Sequence, residues 1–187
     1  MNTTQYAQGI SAVNFAKWFF ATILTVVIGV FLTLLVGWRS VFSATISLWL
    51  TTSLFSCWAQ ISIIRSTVPI QVSRWLRYLA CSSIIGWAVS FLVLYLLKQP
   101  MESWINSAIN SADLGNVVWA GFFAGGVIGL FPGILIGLAY WWLTRPDDSA
   151  RRLLVNNVIS WCLGMGIASA ALLILLTVII SSSFPVF

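Results

Sequence analysis

Proton transfer, metal binding and nucleophilic catalysis draw on a short set of side chains, and this sequence is poor in them. Histidine is absent, the acids are Glu102, Asp113, Asp147 and Asp148, and the cysteines are Cys57, Cys81 and Cys162. Each cysteine lies in an apolar stretch and none forms a C-x-x-C pair, so a disulfide framework or thiolate metal cage is not expected. They read as small buried hydrophobes. Asp147 and Asp148 are adjacent and no acid follows them, whereas a divalent cation needs several converging oxygens. Serines are plentiful, but none has a base to activate it. The expectation is a protein without catalytic residues and without a metal, not an enzyme.

What remains is hydrogen-bonding and cationic chemistry. Ser43, Thr45, Ser47, Thr51, Thr52, Ser53 and Ser56 crowd one segment, with Gln60 at its end. Such hydroxyls either line a polar path or bond back to their own helix and pack between helices. Gln60, Asn156 and Asn157 are amide side chains set in apolar segments. Arg74, Arg77, Arg151 and Arg152 suit lipid headgroups. Arg145-Pro146 resembles the Arg-Pro pair of lipid phosphatases, whose chemistry needs the missing histidines. The run 145–152 is either a solvated turn or a docking point for a partner.

The elements that position these residues follow from composition. Of 187 residues 60% are hydrophobic and 7% are charged. A soluble domain carries about 25% charged residues to wet its surface. Lipid must replace water as the main solvent, which makes the fold class all-α, a polytopic bundle forming one membrane domain over 1–187. The net charge of +5 then belongs to loops at the membrane surface rather than to nucleic-acid binding. About 20 apolar residues cross a bilayer, and five runs qualify: 15–36, 41–64, 76–97, 116–143 and 153–180. The fourth contains Pro132 and reads as one kinked span or as two re-entrant pieces. Residues 101–112 alternate apolar and polar faces at helical spacing, with Pro100 and Glu102 as a start and Gly115 as a stop. They are too short to cross and are expected to lie in the interface.

Five spans put Lys17, Arg65, Arg74, Arg77, Arg145, Arg151 and Arg152 on one side and only Arg39 and Lys98 on the other. The positive-inside rule makes the first side cytoplasmic, with the N-terminus inside and the C-terminus outside. Counting 101–112 as a sixth span removes that bias. Gly37-Trp38-Arg39-Ser40 makes the first two spans a tight hairpin. Trp18, Trp38, Trp75, Tyr78, Trp119, Tyr140, Trp141 and Trp142 mark span ends, where aromatic rings favour the headgroup level. No charged residue falls at mid-membrane depth, which argues against a coupled transporter.

Gly121, Gly125, Gly129, Gly133 and Gly137 recur every four residues and share one helical stripe. Small residues let a second backbone approach closely in lipid. Ser160, Gly164 and Ala168 offer a matching stripe in the next span. The ladder therefore packs on that span, or part of it faces another subunit or a flat cofactor.

The second and third spans resemble the last two. Gln60 precedes Arg65, and Tyr140 precedes Arg145, by five residues; 79–87 then aligns with 153–161, pairing Gly86-Trp87 with Ser160-Trp161. On Gly137, Trp141, Arg145, Asn157, Trp161 and Gly164, the chain resembles a group of uncharacterised, mainly cyanobacterial multispanning proteins with repeated hairpins. Their pattern runs Gly-rich helix, Gln-Trp, Arg, Asn, Gly-Trp. Tyr140 departs from the expected Gln and Ser160 from Gly. The resemblance implies a bacterial plasma or thylakoid membrane and brings no activity; in such a membrane Gln60, Asn156 and Asn157 are the candidates either to contact bound lipid or pigment or to pack between helices. The expected function is a non-enzymatic accessory or assembly subunit of a larger membrane complex, photosynthetic or respiratory, with other membrane-protein subunits and membrane lipids as partners. The alternative is a small passive carrier or channel component.

Overall fold

The computed structural model describes residues 15–36, 41–65, 71–111, 113–144 and 148–183. Six helices and no strand occur among the described residues: α1 Phe15–Val36, α2 Val41–Arg65, α3 Val72–Leu96, α4 Lys98–Asn110, α5 Leu114–Thr144 and α6 Asp148–Ser183. The 37–40 turn, Arg145, Pro146 and Asp147, and the side chains of Ser43, Thr45 and Asp148 lie outside the described residues.

Among the described residues four helices are long and apolar enough to cross a membrane, through Ala16–Thr33, Val72–Leu96, Leu114–Leu143 and Arg151–Val178. A bilayer core is about 30 Å thick and a helix rises about 1.5 Å per residue. The 36 residues of α6 thus reach about 54 Å, so α6 overshoots the core or tilts within it. The outward faces suit lipid: Phe20, Leu24 and Ile28 point away from the bundle on α1, and Leu50, Leu54 and Trp58 on α2.

The helices form a ring in the order α2, α1, α6, α5, α3, with α4 laid on α5. α5 and α6 meet most extensively, whereas α2 and α3 close the ring only lightly. Close approach is set by residues without bulk. A Cβ on Gly29 of α1 would lie 2.7 Å from the Cα of Thr52 on α2. Across the same contact Thr51 Oγ1 donates to the carbonyl of Gly29 at 2.9 Å and lies 2.9 Å from Thr33 Oγ1.

α5 runs unbroken through Pro132, as one helix rather than two re-entrant pieces. A proline inside a helix has no N–H, and the carbonyl four residues earlier loses its donor. That carbonyl belongs to Ile128, and Ser90 Oγ of α3 donates to it at 2.9 Å. One turn away, Gly86 lets Pro132 seat against α3, because a Cβ there would lie 2.7 Å from the proline Cα. In an apolar surrounding such re-satisfaction is what makes an intrahelical proline tolerable. Ser90→Ala is expected to cost about 1 kcal/mol. Equilibrium unfolding in mixed micelles would show this as a lower midpoint, and Ser90→Thr should restore it.

Several local expectations are corrected. α4 begins at Lys98, where Leu97 ends α3 and interrupts the helical path, rather than at residue 101. Pro100 therefore sits inside its first turn, where a missing N–H costs nothing. Gly115 does not stop α4. It lies in the first turn of α5, and its N–H donates to Asp113 Oδ1 at 2.8 Å, an N-cap arrangement. α4 is amphipathic as expected: Ala108 is buried, and Asn106, Ser107 and Asn110 face outward. Three span-end aromatics turn inward, because Trp18, Trp75 and Tyr140 are almost completely buried. Their rings pack together, with centroids 4.9 Å apart for Trp18–Tyr140 and 5.5 Å for Trp75–Tyr140. Tyr78, Trp119, Trp141 and Trp142 keep outward positions. Of the cysteines, Cys57 is buried, Cys162 half-buried and Cys81 exposed, so the buried reading fails for Cys81.

Candidate functional site

The polar side chains converge on one layer between four helices. Gln60 of α2 is fully buried and reaches three neighbours. Its Nε2 donates to Thr22 Oγ1 of α1 at 2.9 Å and to Asn157 Oδ1 of α6 at 2.7 Å. Its Oε1 accepts from Tyr140 of α5 at 2.9 Å. Asn157 Nδ2 then donates to the carbonyl of Gly133 on α5 at 3.0 Å. Both amide hydrogens of Gln60 are engaged, so this residue has no donor left for a ligand. In a medium without water an unmatched amide is expensive, and each helix contributes the partner its neighbour needs.

A second layer lies one to two turns deeper. Ser83 of α3 donates to Ser53 of α2, and Trp87 Nε1 donates to Ser53 Oγ at 3.1 Å. Trp87 also meets Trp161 of α6 edge-on, with centroids 6.4 Å apart. The hydroxyls of α2 therefore act as inter-helix ties: Thr51 to α1, Ser53 to α3. Ser56 Oγ and the indole nitrogens of Trp18 and Trp161 are buried without a hydrogen-bond partner among the described residues.

All five ladder glycines face α6. A Cβ on Gly121 would lie 2.6 Å from the Cα of Ala170, and one on Gly133 would lie 3.0 Å from the Cα of Val158. Gly125 abuts the carbonyl of Met165, Gly129 that of Trp161, and Gly137 the side chain of Leu154. The matching stripe on α6 is thus 154, 158, 161, 165 and 170, not Ser160, Gly164 and Ala168. Gly164 instead takes α1, where a Cβ would lie 3.0 Å from Val26. Ser160 is buried and donates to the carbonyl of Asn157 at 3.1 Å, and Ala168 is buried. Sequence spacing finds the ladder but not the face it meets. The ladder's contacts run within the chain at every rung, which removes the reason for placing a second subunit or flat cofactor on it.

Gln60 and Asn157 therefore tie helices together, and Asn156 makes no part of that layer among the described contacts. Asn156 is half-buried and lines an open groove of about 410 Å³ with Arg151, Arg152 and Val155. Arg74 and Arg77 are exposed, and the Arg74 guanidinium lies over the ring of Tyr78 at 6.0 Å. The polar layer also fixes the depth of the charges. Lys17, Arg65 and Arg152 each stand five residues from a member of it (Thr22, Gln60 and Asn157), all toward the same end of the bundle. Five residues are about 7.5 Å of helix.

Among the described residues no group of three or more His, Cys, Asp or Glu side chains is placed to hold a metal. No protein-family model matches the chain, and no curated protein and no solved structure is detectably similar to it.

Proposed function

We propose that the chain is a five-span membrane protein and a non-enzymatic accessory or assembly subunit of a larger membrane complex. α2 is the fifth span: its 25 residues match the bilayer core at about 1.5 Å per residue. It runs antiparallel beside α1, and its Thr51, Ser53 and Gln60 are tied to neighbouring helices. The cationic end of the bundle, with Lys17, Arg65 and Arg152 at one depth, is assigned to the cytoplasm. The N-terminus is then inside and the C-terminus outside, with α4 lying in the opposite interface.

The observation that carries the subunit reading is the Gln60 layer. Four helices are tied by amide and hydroxyl groups bonded to one another, which suits a stiff scaffold better than a path for solute. Thr51 and Ser53, two of the α2 hydroxyls behind the carrier alternative, serve the same bracing. Partner contact then falls to the outer faces, not to the glycine ladder. The paired hairpins support a parallel repeat, since positions aligned by sequence meet across the bundle: Gln60 with Tyr140, and Trp87 with Trp161. The membrane is that of a bacterium, plasma or thylakoid, on the strength of the sequence resemblance alone.

One observation favours the carrier alternative. The α2–α3 seam is the lightest in the ring, and Ser56, on the same helix as Ser53, is buried without a partner among the described residues. Gentle extraction of the tagged protein from its native membrane, followed by native electrophoresis and mass spectrometry, separates the readings. A discrete heavy band with stoichiometric partners is expected. Migration as a lone monomer would reject the subunit reading in favour of the carrier.

A further inference from the structure

We infer that the groove on α6 lined by Arg151, Arg152, Val155 and Asn156 is a binding site for one anionic glycerophospholipid. The inference needs only membrane insertion and stands whether or not the chain is a subunit. The groove holds about 410 Å³. Its two arginines are exposed. A guanidinium presents a planar fork of donors that matches phosphate oxygens in pairs. Phosphate is thus the group this rim selects.

The depth of the remaining lining separates a lipid from a free phosphate. The apolar stretch of α6 begins at Arg151, which puts both guanidinium groups at headgroup level. Val155 and Asn156 lie four and five residues further along, about 6–7.5 Å deeper. That is the level at which a diacyl lipid carries its ester carbonyls and its first methylenes. Asn156 lines the groove, whereas its neighbour Asn157 is bonded into the Gln60 layer. The Asn156 amide supplies a donor suited to an ester carbonyl, and Val155, half exposed, offers the acyl chain an apolar wall. Cation, amide and apolar side chain follow one another in the order of phosphate, ester and acyl chain.

The test is native mass spectrometry of the purified full chain loaded with phosphatidylglycerol, phosphatidylcholine or inorganic phosphate. One phosphatidylglycerol should be retained about tenfold or more over phosphatidylcholine. The double variant Arg151→Gln/Arg152→Gln should abolish that preference. Arg65→Gln, a cation at matched depth on α2, should leave it intact. Asn156→Leu should lower retention of both lipids severalfold. The three arginines are exposed and Asn156 lines the groove, so an unchanged thermal midpoint verifies that each variant folds. Three results would each overturn the site: retention unchanged in the double variant, an equal loss in Arg65→Gln (bulk surface attraction), or displacement of the lipid by inorganic phosphate (a free-anion site).

Discussion

Gly129→Leu is expected to prevent α5 and α6 from closing, with the chain unfolding at far lower denaturant or failing to accumulate. The position abuts the carbonyl of Trp161, and a Cβ added there would also lie only 3.0 Å from Met165 Cγ. A backbone carbonyl cannot swing aside as a side-chain tip can, so the helices must separate. Overpacking typically costs about 1–3 kcal/mol and sometimes more, and separation here also loosens the rungs at Gly125 and Gly133. Gly126 is the control. It is adjacent to the stripe but off it, and its nearest obstacle is the Cys162 carbonyl at 3.9 Å. Gly126→Ala should be neutral or stabilising by up to about 1 kcal/mol, through helix propensity alone. The measurement is the unfolding midpoint in mixed micelles. Equal effects at Gly126 and Gly129 would show that helix propensity, not close approach, governs the α5–α6 contact.

Gln60→Leu is expected to be the most damaging substitution outside the ladder. It removes at once the hydrogen bonds that the Tyr140 hydroxyl, Thr22 Oγ1 and Asn157 Oδ1 make to the Gln60 amide, each within 2.9 Å in the native protein. Inter-helix hydrogen bonds in membranes average about 0.6 kcal/mol and reach about 1.7, so three lost together amount to about 2–5 kcal/mol. Desolvation sets the asymmetry: removing one partner of a buried pair costs more than removing both. The double variant Gln60→Leu/Asn157→Leu should therefore fall short of the sum of its singles. Asn156→Ala, one residue from the layer but facing the groove, should leave the unfolding midpoint unchanged. Additivity in the double variant would mean that Gln60 and Asn157 act independently, and the four-helix tie would be lost as a description.

The two substitutions probe features that differ in how far the sequence reveals them. Gly121 to Gly137 are visible as a stripe because a four-residue repeat keeps one helical face. The facing stripe is not, because Ser160, Gly164 and Ala168 are small while the true facing positions include Trp161 and Leu154. Smallness is needed on only one side of a close contact: Gly129 accepts the backbone of Trp161, whose indole turns away toward Trp87. Gln60 and Asn157 are visible as polar residues in apolar helices. Nothing in their spacing says that they bond to each other, since they are 97 residues apart. The hydroxyl donor for the carbonyl freed by Pro132 is equally hidden in Ser90, one serine among many.

By itself the sequence determined that the chain is helical, where the apolar helices run, that histidine is missing, and which residues are small or polar enough to matter. Those properties depend on composition and local spacing. The tertiary structure alone decided which face of each helix looks inward. In a soluble protein the apolar stripe answers that question, because one side meets water. Here lipid and core are equally apolar, so hydropathy has almost no period to read and the inward face is chosen by packing and hydrogen bonding between helices. That is why Trp18, Trp75 and Tyr140, which by position belong to an interfacial belt, are in the core, and why Asn156 and Asn157, neighbours in sequence, part toward a groove and a helix tie.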